Sequence, residues 1–186
     1  LDEHFRSVPH LIDFSNQRFY DGSLRLMTQH PRVEGVDAIW HGRVEGQRDE
    51  SGVVAAEIDT IITHLQHMIT TGDHRSVGVV TPFRAQADAL LQAAVLALPL
   101  ADIRSLDLRV GTVHGLQGTE RDLVMVSLGL GEDDLRRSLR FVQDPHLFNV
   151  MITRARGQIA VYHSFDPANL PAGLLRDWFL TGDLPP

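Results

Sequence analysis

The stretch RVGTVHGLQGTERDLVMVSLGL, residues 109–130, decides the fold of this chain. A short strand-like run, Arg109–Val113, is followed by a polar loop with two glycines, His114–Arg121, and then by the strongly apolar run Asp122–Leu130. A short apolar run bounded by turn residues is typical of a buried strand in a parallel sheet. The stretch therefore predicts strand, loop and strand within an α/β domain.

Outward from this stretch, short apolar runs alternate with longer runs of helical period. The other predicted strands are Val36–His41, Ser76–Thr81 and Ile159–His163, and the predicted helices are Val53–Ile69, Phe83–Leu98, Pro145–Ala155 and Gly173–Leu180. This alternation predicts an α/β fold with a mostly parallel sheet. We expect residues 1–181 to form one domain and residues 182–186 a frayed tail. The charged segment Gly131–Asp144 is predicted to be a solvated surface loop.

Two residue types are missing from the 186-residue chain, cysteine and lysine. The lack of cysteine excludes disulfides and thiolate metal sites and fits a reducing compartment, so we expect a cytoplasmic protein. A phosphate-binding loop of the form G-x-x-x-x-G-K-[ST] needs a lysine, and all 17 basic residues here are arginines. If the chain handles a nucleoside triphosphate, it therefore does so with arginine and together with a partner.

The overall charge is acidic, with a formal net charge of −7 and a pI of about 5.7. This argues against nucleic acid as a partner, although net charge does not describe any one face. No apolar run approaches the roughly 20 residues that cross a bilayer, so we expect no membrane partner. The chain begins with Leu1 rather than methionine, from which we expect it to be trimmed at its amino end.

The segment Phe148–Arg156, FNVMITRAR, carries two arginines at the end of a predicted helix. On a continuous helix Arg154 and Arg156 would be about 200° apart and could not share a ligand. One of them could be an arginine finger, a fixed cation aimed at a phosphoryl group. The ordinary explanation is a helix end at which arginines complement the dipole, and spacing alone favours it.

Two further segments have a functional and a structural explanation. In residues 109–122 the glycines allow a ligand to approach the backbone, Glu120 could accept from a ribose hydroxyl, and Thr112 and His114 could face a phosphate backbone. An ordinary loop with turn glycines explains the same pattern. In residues 78–86 a strand meets a helix start, which suits an anion, but Thr81 as N-cap with Pro82 at the first helical position needs no ligand.

Taken together, five segments in order resemble the second motor domain of superfamily 1 helicases, in the branch that contains the nonsense-mediated-decay helicase. The segments are LDEHFRS at residues 1–7, Phe14–Leu24, Val79–Gln86, Thr112–Asp122 and Asn149–Arg156. The resemblance extends from Leu1 to about Ser164. It implies a RecA-like domain with a mostly parallel central sheet, helices on both faces and no phosphate-binding loop of its own.

The resemblance also implies where a nucleotide would bind. ATP would lie between this domain and an amino-terminal RecA-like domain of the same chain, which would supply the phosphate-binding loop and the Mg²⁺ ligands. By position, Arg6 and Arg154 match the two arginines directed at the γ-phosphate. Glu120 matches the ribose contact, Gly118 the backbone beside the nucleotide, and Gln117 lies in the same loop. The fragment alone is expected to be inactive and to hold no cofactor, and Arg156 is not ranked with Arg154.

The resemblance places single-stranded DNA or RNA at Thr81, Pro82, Thr112 and His114. The sequence departs from the family at Met151-Ile152, where Ala-Leu is usual, and at Phe5, where tyrosine is usual. Two other readings remain: a degenerate helicase-like module that makes protein contacts, and the motor part of a larger nuclease or restriction-type machine.

Overall fold

The computed structural model describes residues 3–4, 9–19, 25–26, 39–116, 118–135 and 137–182. The strands are β1 Glu3–His4, β2 Arg25–Leu26, β3 Ile39–Arg43, β4 Val77–Thr81, β5 Arg109–Thr112, β6 Arg121–Gly131 and β7 Ala155–Ser164. The helices are α1 Pro9–Phe19, α2 Ala55–Thr71, α3 Arg84–Ala97, α4 Leu100–Ser105, α5 Leu139–Val142, α6 Pro145–Ile152 and α7 Leu174–Gly182. Short 3₁₀ turns lie at Glu132–Asp134 and Pro167–Asn169.

The described strands β3 to β7 form one parallel sheet in the order β3-β7-β6-β4-β5, and β1 pairs with β2 in a separate parallel pair. All four pairings in the larger sheet are parallel. We call the side of the sheet where strands begin the amino edge and the side where they end the carboxyl edge. The predicted α/β fold with a mostly parallel sheet is confirmed.

Apolar side chains cover both faces of this sheet. Alternate residues of β6 point to opposite faces, so Leu123 and Met125 pack with α2, α3 and α4, whereas Val124 and Val126 pack with α5, α6 and α7. All of these β6 side chains are buried. Helices therefore lie on both faces, as the RecA-like resemblance implies.

The ends of the elements differ from the sequence predictions in several places. The helix α6 ends at Ile152 rather than Ala155, because Ala155 already pairs with Arg121 as the first residue of β7. Gly157 therefore lies inside a strand and not beyond a helix end. The helix α3 begins at Arg84 with Phe83 as its N-cap residue, one residue after the predicted start, so Thr81 and Pro82 do not cap it as the structural explanation of this junction supposed.

No element was predicted before Val36, so β1, α1 and β2 were not predicted, and the short helices α4 and α5 were not predicted either. The helix α4 follows Pro99, which had been taken only as the end of the preceding helix. The helix α5 lies in the segment that we predicted to be a solvated loop, yet its residues Leu139 and Val142 are buried in the core. At the carboxyl end α7 runs from Leu174 to Gly182, and residues 183–186 of the predicted tail lie outside the described chain.

Candidate functional site

The loop between β5 and β6 crosses the sheet from the carboxyl edge to the amino edge. It leaves β5 at Thr112, which is aligned with Thr81 of β4, and it enters β6 at Arg121. Leu116 anchors its middle in the core, where a Cβ on Gly111 would approach the Leu116 Cδ1 to 2.8 Å. One loop of eight residues thus joins residues predicted to bind two different ligands.

At the amino edge the structure brings Glu120 next to Arg154. The Arg121 amide donates to the Arg154 carbonyl at 3.1 Å, which holds the entries to β6 and β7 side by side. The two residues are 34 positions apart in the sequence, and only the parallel pairing of these strands makes them neighbours. Two of the predicted nucleotide contacts therefore meet at one edge. Arg6 and Gln117, the other side chains assigned to this group, lie outside the described residues.

The Arg154 guanidinium lies over the end of α6. Its Nε donates to the Val150 carbonyl at 3.0 Å, and its Nη2 is 3.5 Å from the Thr153 hydroxyl. These contacts are those of an arginine that caps a helix end, which is the structural explanation considered above. The same contacts fix the side chain at the amino edge, half-buried and within the segment that precedes β7.

Arg156, which the sequence did not rank with Arg154, lies at the amino edge beside Glu120. In the pairing of β6 with β7, Arg121 lies opposite Ala155 and Leu123 lies opposite Gln158. Two steps along β6 therefore match three steps along β7, so β7 carries one extra residue in a β-bulge. A bulge re-aims side chains, and here the Arg156 Nε lies 3.7 Å from Glu120 Oε2. The view of Arg154 and Arg156 as opposite faces of one helix was therefore wrong, because the helix ends before either residue.

A second carboxylate completes the charged group at the amino edge. The Arg156 Nη1 lies 3.8 Å from Asp122 Oδ1, and Asp122 Oδ2 accepts from the Ser76 amide at 3.0 Å and the Ser76 hydroxyl at 2.7 Å. Burial acts to raise the pKa of Asp122, but the hydrogen bonds from Ser76 and the charges of Arg156 and Arg75 outweigh it and lower this pKa. Asp122 is therefore held ionised as a partner for Arg156.

Gly118 gives this edge an open stretch of backbone. Its φ is +84°, a conformation that favours glycine, and a Cβ built there would meet nothing within 4 Å. The backbone beside Glu120 is thus exposed and free of packed neighbours at this point. This is the kind of surface to which a nucleotide could bind, as the resemblance implies for Gly118.

At the carboxyl edge the predicted nucleic-acid residues divide into buried and accessible ones. Thr81 and Pro82 are buried, and the Thr81 Oγ1 accepts from the Phe83 amide at 3.4 Å. This placement favours a role in shaping the turn before α3 over direct contact. Thr112 is half-buried and its hydroxyl accepts from the Gly115 amide at 3.2 Å, whereas His114 is exposed.

A buried polar network that the sequence did not reveal supports the carboxyl edge. Glu57 of α2 accepts from the Ser127 hydroxyl at 2.6 Å and from the Gly129 amide at 2.9 Å. Gln86 of α3 donates to the same Ser127 hydroxyl at 2.9 Å and accepts from the Val54 amide at 2.8 Å. Glu57, Gln86 and Ser127 are fully buried. The network ties the starts of two helices to the end of β6.

Burial raises the pKa of Glu57 to about 7, more than the hydrogen bonds from Ser127 and Gly129 lower it. Its Oε1 has no hydrogen-bond partner among the described residues, although the Ser164 hydroxyl also acts to lower this pKa. An acidic residue in the first turn of a helix is ordinarily an exposed partner of the helix dipole, so no pattern in the sequence indicated this burial.

Two negative observations concern the described residues alone. None of the helices in the described chain is both long and apolar enough to cross a membrane. Within the same residues, no three histidine, cysteine, aspartate or glutamate side chains are grouped so that they could hold a metal ion.

Comparison with known proteins agrees with the family resemblance. A family model described as AAA domain matches residues 1–164. The chain is 26% identical to helicase mov-10-B.1 of Danio rerio, over 84% of this chain and 18% of that protein. It is 25% identical to the regulator of nonsense transcripts 1 homolog of Drosophila melanogaster, over 87% of this chain and 15% of that protein. The chain thus spans less than a fifth of the length of these two relatives.

A solved structure supports the fold. The C-terminal domain of a possible DNA helicase from Lactobacillus plantarum matches with a TM-score of 0.50 and 14% sequence identity, covering 89% of this chain and 91% of that one. At that identity the likeness concerns the fold alone, which is RecA-like. The chain therefore belongs to the AAA domain family, as a C-terminal domain of a superfamily 1 helicase in the branch of the nonsense-mediated-decay helicase.

Proposed function

We propose that the chain is the second motor domain of an ATP-dependent helicase or translocase, in which its amino edge binds the nucleotide and its carboxyl edge binds single-stranded nucleic acid. The observation that carries this proposal is the juxtaposition of Glu120 and Arg154 at the entries to β6 and β7. A carboxylate suited to a ribose hydroxyl and a cation suited to a phosphate lie at one edge.

The chemistry of ATP hydrolysis needs parts that this chain does not carry. Without lysine it has no phosphate-binding loop, and its described residues hold no group of metal ligands. We infer that an amino-terminal RecA-like domain of the same chain supplies the phosphate-binding loop and holds Mg²⁺, which neutralises charge on the phosphates. ATP would then bind in the cleft between the two domains.

Within that cleft the residues of this domain have separate roles. Glu120 accepts a hydrogen bond from a ribose hydroxyl, and the open backbone at Gly118 lies beside the nucleotide. Arg154 exchanges the Val150 carbonyl for an oxygen of the γ-phosphate, where negative charge grows in the transition state. Arg156 holds Glu120 in place through their ion pair. Arg6 joins Arg154 at the phosphate by family position.

The nucleic-acid side uses the other end of the same loop. We assign phosphate-backbone contacts to Thr112 and His114, and we assign to Thr81 and Pro82 the shape of the adjoining turn. The loop of residues 113–120 connects these residues to Glu120, so a rearrangement of the whole loop during hydrolysis would move both edges. This arrangement supports coupling between nucleotide hydrolysis and movement along a strand.

The decisive experiment is an ATPase assay of the full-length protein with and without single-stranded DNA and RNA. We expect stimulation by at least one of the two and no turnover by residues 1–186 alone. A full-length protein that neither hydrolyses ATP nor binds a single strand, yet captures a protein partner, would support the degenerate helicase-like module instead. Cleavage of the strand by residues outside this chain would identify the motor of a nuclease machine.

A further inference from the structure

An exposed aromatic side chain lies beside the carboxyl edge. Phe141 of α5 is 47% exposed, and its ring centroid is 5.8 Å from that of Phe83, with 39° between the ring planes. Phe83 follows Thr81 and Pro82 directly and is the N-cap residue of α3. An aromatic pair therefore adjoins the turn to which the family resemblance assigns nucleic acid.

The inner ring of this pair is fixed from several directions. The Arg48 guanidinium lies 4.3 Å from the Phe83 ring centroid, and the Arg48 Nη1 donates to the Ser138 hydroxyl at 3.2 Å. Gly129 of β6 leaves room for the ring, because a Cβ there would lie 3.2 Å from Phe83 Cδ2. Three segments of the chain thus hold Phe83 in place beneath Phe141.

The core does not require an exposed aromatic ring at Phe141. The neighbouring α5 residues Leu139 and Val142 are the buried ones and supply the packing of this helix. Two further arginines of the same region, Arg137 and Arg140, are exposed. The half-exposed Phe141 therefore lies close in the sequence to two exposed arginines, in a segment that also carries Glu132 and Asp133.

We propose that Phe141, supported by Phe83 and Arg48, is a stacking surface for one base of a single-stranded nucleic acid. The inference rests on the proposed nucleic-acid function and adds to it a contact that binds a base rather than the phosphate backbone. Aromatic rings bind bases of any sequence by stacking, and arginine adds a cation–π contribution. The exposed arginines Arg137 and Arg140 complement the phosphates on either side of the stacked base.

The test measures binding of a fluorescein-labelled 15-nucleotide oligothymidine, as DNA and as RNA, to the full-length protein and its variants. Phe141→Ala and Phe141→Leu should each weaken the affinity roughly 5- to 50-fold, because both remove the ring that stacks on a base. Because leucine keeps most of the apolar volume, equal losses in the two variants would show that the ring itself is needed. Phe141→Trp should bind at least as well as wild type. Leu180→Ala is the matched control, since Leu180 is an exposed apolar residue of α7 that is 61% exposed.

Salt dependence separates stacking from charge. The slope of log affinity against log salt concentration reports the number of phosphates neutralised, so it should be the same in wild type and Phe141→Leu. A changed slope would mean that Phe141 acts by arranging the arginines, and the stacking proposal would be wrong. If wild type binds but the Phe141 variants retain its affinity within twofold, this inference fails and the proposed function stands. If wild type binds neither oligonucleotide, both fail.

Discussion

The amino edge is charged and partly exposed, whereas the carboxyl edge rests on a buried polar network. At the amino edge Glu120 and Arg156 are 3.7 Å apart, with side chains 22% and 46% exposed. At the carboxyl edge Glu57, Gln86 and Ser127 are fully buried and joined by bonds of 2.6 and 2.9 Å. Exposed ion pairs contribute little to stability and exchange readily, while buried networks fix geometry. The amino edge can therefore rearrange around a ligand, whereas the carboxyl edge maintains its shape.

The largest expected effect is that of Arg154→Ala in the full-length enzyme. Arginine fingers contribute on the order of 10³–10⁵ in rate in GTPases, and we expect a smaller loss here, about 10²–10³ in kcat for nucleic-acid-stimulated ATPase. KM for ATP should change much less, because the contact strengthens in the transition state. Arg154→Lys should recover only part of the rate, since a point charge does not reproduce a planar fork.

Steady-state kinetics of these two variants should be compared with Arg176→Ala, which alters an exposed arginine of α7. Unchanged kcat in Arg154→Ala would leave Arg154 as a helix cap alone. A loss of similar size in Arg176→Ala would show that the assay reports general charge rather than the amino edge.

A stability experiment tests the carboxyl edge. The pKa of Glu57 is raised from 4.5 to about 7, so the folded chain holds a proton that the unfolded chain releases. The stability from this proton is fully present below pH 4.5 and is lost as pH rises through 7. Glu57→Gln keeps an oxygen for Ser127 and Gly129 and stays neutral. It should therefore be more stable than wild type at pH 8.5, by about 2–3 kcal/mol, and nearly equal to wild type at pH 5.

Denaturant unfolding at both pH values gives this difference directly, and subtracting wild type cancels the titration of the other groups. Glu50→Gln, at an exposed position, should show no such pH dependence relative to wild type. If Glu57→Gln is destabilised equally at both pH values, the carboxyl edge depends on a charged Glu57 and the buried network is misassigned.

Glu120→Ala should raise KM for ATP by roughly 5- to 20-fold. A hydrogen bond to a charged group contributes about 1.5–3 kcal/mol, and partial exposure of Glu120 places this one at the lower end. The variant should also lose the preference for ATP over 2′-deoxy-ATP or 3′-deoxy-ATP that a ribose contact confers. KM values for the three nucleotides decide the point. A preference that survives the substitution would remove Glu120 from the ribose.

Arg156→Ala should have the smallest effect, about 2- to 5-fold in KM for ATP with kcat within twofold of wild type. Exposed ion pairs are typically worth under about 1 kcal/mol, and the Arg156 contacts are of that kind. The increase in KM should shrink as salt is raised, because screening weakens the pair with Glu120. Damage to kcat equal to that of Arg154→Ala would make Arg156 a second phosphate contact instead.

The sequence predicted the five strands of the large sheet and the helices α2, α3, α6 and α7, because apolar runs and helical periods are local signals. It failed where a tertiary contact sets the boundary. Ala155 continues a helical pattern, yet pairing with Arg121 makes it the start of β7. The helix α5 was missed because its apolar residues Leu139 and Val142 stand among arginines, and only the fold shows that they face the core.

The candidate site was predicted only in part for the same reason. The family resemblance selected Glu120 and Arg154, which the structure places side by side. The role of Arg156 depends on a β-bulge between two strands, and that of Glu57 on burial beneath the end of β6. Neither a register shift nor a depth of burial is encoded in residue spacing. The sequence likewise gave no indication of a role for Phe141, because its contact with Phe83 is a tertiary contact.

The most direct test of the two-edge account compares Glu120→Ala with His114→Ala, two residues of one loop that lie at opposite ends of it. Oligonucleotide affinity is measured without nucleotide, and KM for ATP is measured at saturating oligonucleotide, both on the full-length protein. We predict that Glu120→Ala raises KM and leaves the oligonucleotide affinity unchanged. We predict that His114→Ala weakens the oligonucleotide affinity by about 3- to 10-fold, as for the loss of one polar contact, and leaves KM unchanged. If both variants change both quantities equally, the two edges are not separate binding surfaces and the account is contradicted.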